Sequence, residues 1–152
     1  MKLPEYISNE EVQRVCSELG IRDWTKLDEA EIELAEARKI QQEIGAEAIQ
    51  IDAVDFQKGL EIELEHGVTF PDANVTSNHP ILTGLIVLAH LKEMLDYYER
   101  LEVAELEGDM LKALEAGDNK KLAHKYRLLI EARAHLANKE LARLGQLTQE
   151  DV

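Results

Sequence analysis

The sequence predicts an all-α protein, an antiparallel helical bundle with an extended C-terminal helical arm. Three observations carry this. Apolar residues recur at three- and four-residue spacing through most of the chain, the period of a buried helix face. Glu, Leu, Ala and Lys dominate, while only 8 glycines and 3 prolines occur among 152 residues, a mix that loses little rotamer freedom in a helix. No segment is read as a strand. A chain of this length is expected to form one helical domain, residues 1–152, with a core of its own.

Each element is set by local signals. Ser8 and Glu11 in "SNEE" have capping-box spacing and open a short helix that stops at Gly20. "GIRDWTKL" reads as a turn anchored in the core by Trp24. "DEAEIELAEARKIQQEIGAEAIQ", residues 28–50, predicts a second helix, interrupted or ended near Gly45. "IDAVDFQKGLEIELEH" predicts a third, with Gly67 as its C-terminal cap. "GVTFPDANVTSNHP" is rich in turn residues and reads as a loop. Pro80 suits the first turn of a fourth helix that runs past Leu101. "EGD" at 107–109 and "AGDN" at 116–119 punctuate the chain beyond that helix, and "KKLAHKYRLLIEARAHLANKELARLG" predicts a long final helix.

Charge and composition exclude several classes of function. The formal net charge is −14, whereas a nucleic-acid or anionic-membrane partner calls for a Lys/Arg face; neither partner is expected. The longest apolar run, "PILTGLIVLA", is too short to span a bilayer. Cys16 is the single cysteine, so no intrachain disulfide forms. With the polar start "MKLPEYISNE", this points to a cytoplasmic protein. A Gly-rich phosphate loop, an H-E-x-x-H zinc helix, a G-x-S-x-G elbow and a paired-Cys motif are all missing from the sequence.

Helical periodicity singles out a few polar residues. Phe56, Leu60 and Leu64 define the stripe of the third helix, and Glu63 falls inside it, with His66 on its shoulder. Glu61 and Glu65 point away and read as solvated. On the fourth helix His90, Glu93, Tyr97 and Leu101 share a face within an apolar run. Glu63-x-x-His66 and His90-x-x-Glu93 are mirror-ordered, so antiparallel packing can bring all four to one level. Carboxylate and neutral imidazole together suit iron, zinc or manganese, with Tyr97 as a further phenolic ligand. Against this stands a bland alternative, in which Glu63 and His90 pair as a buried hydrogen-bonded lock and His66 serves the helix end. Of the remaining candidates, His124 and His135 read as a solvated face, His79 as a cap of the fourth helix or a neighbour of the site, and Cys16 as a core thiol.

These same segments, "LGI-DW-K", "DFQKGLEIELEHG" and "NVTSNHPILTGLIVLAHLKEMLDYYERLE", resemble an uncharacterised prokaryotic and phage domain family of unknown function. The resemblance implies a core at residues 8–102, an inserted helix at 28–50 and an added helical arm at 103–152. It also implies that the family pattern centres on Glu63, Glu65, His66, Thr76, His90, Glu93, Asp96 and Tyr97. A looser analogy is to ferritin-like metal-binding bundles, from which the chain departs in having one E-x-x-H and one reversed H-x-x-E. Glu36, Glu43 or Glu47 could add a carboxylate.

Two functions therefore compete: a transition-metal protein using Glu63, His66, His90 and Glu93, and a non-catalytic interaction or assembly module with a homo-oligomeric or other protein partner. Acid–base catalysis by His90 and Glu93 without a cofactor ranks third.

Overall fold

The computed structural model describes residues 7–150, with side chains as far as 145. Seven α-helices and one 3-10 turn occur among these residues, and no strand. The protein is all-α. The chain forms two compact units, Met1–Glu93 and Met94–Val152. No described helix is long and apolar enough to cross a membrane.

The first unit begins with α1, Asn9–Leu19. Ser8 Oγ accepts from the Glu11 N–H at 3.3 Å, and Gly20 ends the helix in the left-handed region at φ 61. A 3-10 turn, Trp24–Lys26, is capped by the Asp23 carboxylate and sinks Trp24 into the core at 1% exposure. Helix α2 spans Leu34–Ile44 and α3 spans Ala46–Ile49, separated by Gly45. Helix α4, Ala53–Thr69, is capped by Asp52, and α5 spans Pro80–Glu93. Helices α2, α4 and α5 pack on one another around Ile40, Phe56, Leu60, Leu64 and Val87. Gly84 permits a close approach of α5 to α2: a Cβ there would lie 2.6 Å from Ile44 Cδ1 and 2.8 Å from Ile40 Cγ2.

The second unit pairs α6, Tyr97–Glu115, with α7, Asn119–Glu150, through a turn holding Gly117 at φ 68. Leu106, Leu129 and Ala132 form its small core. Ion pairs tie the two helices along their length: Glu99 with Lys139 at 2.9 Å, Arg100 with Glu140 at 2.6 Å, Glu107 with Arg133 at 2.6 Å and Asp109 with Lys125 at 2.7 Å. From residues 99–100, paired with 139–140, through 107 with 133 to 109 with 125, the α7 numbers fall as the α6 numbers rise, so the hairpin is antiparallel.

Four element boundaries differ from the expected ones. The second helix starts at Leu34 rather than 28, because the Ile32 N–H and carbonyl are taken by Glu61 and Gln57 from α4. Gly67 lies inside α4, which continues to Thr69. Helix α5 stops at Glu93, and a turn at Met94–Asp96 closed by Tyr97 N–H to Met94 O at 3.0 Å precedes α6. "EGD" at 107–109 does not interrupt α6.

Candidate functional site

Of the four expected ligands, the structure brings two together. Glu63 on α4 and His90 on α5 meet at 3.1 Å between Oε1 and Nδ1, with 16% and 30% of their side chains exposed. Glu63 sits in the stripe of Phe56, Leu60 and Leu64, where a carboxylate needs a polar partner. An imidazole supplies one across the α4–α5 contact.

His66 and Glu93 are exposed. Among the described residues no group of three or more His, Cys, Asp or Glu side chains is arranged to hold a metal ion. The helix wheel gives the azimuth of a side chain and not the level at which a neighbour meets it. The outer members of the two motifs are therefore free to face water while the inner two meet. Tyr97 lies beyond the turn that ends α5 and belongs to the second unit, where its ring stands edge-on to Tyr98 with centroids 5.2 Å apart. It is not on one continuous helix with His90.

Three of the other carboxylates are engaged elsewhere. Glu61, read as solvated, is half-buried and accepts from the Ile32 N–H at 3.1 Å. Glu65 is exposed. Glu36 is 3% exposed and accepts from Arg22 Nε at 3.1 Å, Arg22 Nη2 at 2.7 Å and the Arg22 N–H at 2.9 Å. Burial pushes its carboxyl up, and these donors outweigh that to hold it below the usual carboxylate range. Glu47 pairs with Lys92 at 2.8 Å, and Glu43 is exposed.

The histidines outside the pair occupy different settings. His79, 7% exposed, stands at the start of α5, and its Nδ1 accepts from the Leu82 N–H at 3.4 Å. Burial holds this imidazole below its ordinary range. His124 and His135 are exposed, and His135 lies 3.9 Å from Glu99. Cys16 is a core thiol whose pKa burial raises.

The loop before α5 is built onto the end of α4. Asn74 Nδ2 donates to Gly67 O at 3.2 Å and to Asn78 Oδ1 at 2.7 Å, and Thr76 Oγ1 donates to Asn74 Oδ1 at 3.1 Å. Ser77 and Asn78 adopt φ of 52 and 58. A Cβ on Gly67 would fall on Asn78 Oδ1 and within 2.8 Å of Asn74 Nδ2. Gly67 is thus required for close approach rather than for a cap. "EHG" and "NVTSNHP" are two halves of one packing device.

The model of a protein family of unknown function, DUF5661, matches residues 12–107. The chain belongs to this family. The matched segment of DUF5661 contains the Glu63–His90 pair and the Gly67–Asn74–Asn78 cluster, and it ends within α6. No curated protein and no solved structure matches the chain.

Proposed function

We propose that this DUF5661 protein is a non-catalytic helical module for protein association, in which Glu63 and His90 lock α4 to α5. The observation that carries this reading is the pair itself: an acid and an imidazole in contact at 3.1 Å, with His66 and Glu93 turned to solvent. Two such groups orient two helices well, whereas a bound transition ion is ordinarily held by three or four protein ligands. Apolar side chains left exposed along the second unit, among them Leu111, Leu114 and Leu141, supply the surface such a module needs. Light scattering and affinity capture on the purified protein test the reading. A self-associating protein, or one with a stoichiometric partner, is expected. A monomer without any partner refutes it.

The metal reading keeps one favourable observation, since Glu63 and His90 are donors that iron, zinc or manganese accept. An ion there would draw its remaining ligands from solvent or from a second chain. Elemental analysis of untagged protein decides between the readings: near-stoichiometric metal that is lost in both Glu63→Ala and His90→Ala supports the ion, and metal-free protein with full stability supports the lock.

A further inference from the structure

The final helix carries two apolar faces, and α6 covers one of them. Leu129 and Ala132 turn toward α6 and are buried. About a third of a turn away run Tyr126, Ile130, Ala134, Ala137, Leu141 and Leu144. Advancing 100° per residue places all six within one narrow sector of the helix. All six are exposed, and the four large ones are between 48% and 66% accessible. The stripe extends for about 27 Å along the helix axis. An exposed helix face normally carries charge, so a continuous apolar stripe of this length marks a contact surface.

We propose that this face of α7 is where a second copy of the chain docks, the two helices running antiparallel. The order of side chains argues for it. Two large residues, Tyr126 and Ile130, are followed by two small ones, Ala134 and Ala137, and again by two large ones, Leu141 and Leu144. Reversed, the pattern is the same. An antiparallel copy sets Tyr126 against Leu144, Ile130 against Leu141 and Ala134 against Ala137, and the paired alanines let the helix axes approach closely. Such self-complementarity is what an isologous interface requires. The area is adequate: half-exposed large side chains and two alanines give on the order of 500 Å² per chain and 1,000 Å² for the pair, the lower bound of a specific interface. Charge does not oppose the contact within the stripe, because none of its members carries charge at neutral pH. The nearby Arg133 and Glu140 are each held by α6 partners, Glu107 and Arg100.

The second-copy proposal rests on the association-module reading and names the partner. The test is light scattering of the full chain from micromolar to several hundred micromolar, with Ile130→Glu and Leu141→Glu variants checked for helicity by circular dichroism. The expected result is a dimer mass for the wild-type chain that falls to half in both variants with helicity unchanged. Ala137→Cys protein mixed with Ala134→Cys protein is expected to cross-link under oxidation by a disulfide between the two copies, whereas parallel helices would favour cross-links between copies of the same variant. A dimer that persists in both variants overturns the α7 assignment while leaving the module reading intact. A wild-type chain that is monomeric alone but binds another protein overturns the second-copy proposal and again spares that reading. A monomer without a partner overturns both.

Discussion

Removing the α4–α5 lock separates the two readings of the candidate site most directly. The measurement is a double-mutant cycle over Glu63→Ala and His90→Ala in buffer containing EDTA. At 3.1 Å, Coulomb's law in the dielectric of water gives about 1.3 kcal/mol for a fully charged pair. Exposed pairs yield roughly 0.2–1 kcal/mol, and hydrogen bonds to charged groups about 1.5–3 kcal/mol. With 16% and 30% of its side chains exposed, the pair lies between these cases, and a coupling energy of about 1–1.5 kcal/mol is expected. Trp24 is the only tryptophan and is buried in the first unit, so its fluorescence during urea unfolding reports on the unit that holds the lock. A coupling below about 0.3 kcal/mol, within the usual error of additivity, would refute the lock. Coupling that appears only when zinc, iron or manganese is added would transfer the pair to the metal reading.

The packing sets three further outcomes. Gly84→Ala should cost about 1–3 kcal/mol, a typical overpacking penalty, because the new Cβ meets Ile40 Cγ2 at 2.8 Å and Ile40 is fully buried; an unchanged urea midpoint would contradict the close α2–α5 crossing. Arg22→Ala leaves the buried Glu36 carboxylate without its main partner and should cost about 2–3 kcal/mol, below the usual 3–5 for a broken buried pair because Arg22 is 40% exposed; Arg22→Ala with Glu36→Gln should recover part of it. His79 predicts a pH dependence. Its folded pKa lies below the ordinary 6.5, chiefly through burial, with Glu11 opposing and Arg14 adding to the shift. The unfolded chain therefore takes up the proton first. This contribution is fully present above about pH 6.5 and is lost as pH falls toward the lower folded value. Urea midpoints should drop between pH 7.5 and 5.5, and His79→Gln should flatten that slope; an equal slope in both proteins would refute the assignment.

Local signals in the sequence are good guides where the physics is local. The Ser8 cap, the Gly20 stop, the Trp24 anchor, the start of α5 at Pro80 and the all-α class each depend on a few neighbouring residues. The positions that differ depend on partners far along the chain. "MLDYYERL" consists largely of helix formers without Gly or Pro, yet the helix breaks there. Asp96 is 5% exposed and bonded to Arg100 at 2.8 Å, which holds its carboxyl low against the cost of burial. Conversely, Gly108 inside α6 costs about 1 kcal/mol of helix propensity, and the flanking pairs of Glu107 with Arg133 and Asp109 with Lys125 help to offset it. A helix wheel puts Glu61 outside because it allows for one packing partner, while the segment leading into α2 lies on that other side. The Glu63–His90 contact is legible because both residues fall within apolar stripes. Spacing alone does not exclude His66 and Glu93.

Contacts within the segment matched to DUF5661 bear on where function should be sought. Glu63 with His90, and Gly67 with Asn74 and Asn78, sit in the matched segment, residues 12–107, and both groups fix one stretch of chain to another. Side chains occupied with one another in this way cannot also meet a ligand without cost, which favours the non-catalytic reading proposed above. In this chain the apolar stripe of α7 runs beyond the end of the family match. A protein with the same scaffold but a charged outer face on its last helix should fold as well as this one and fail to associate through it.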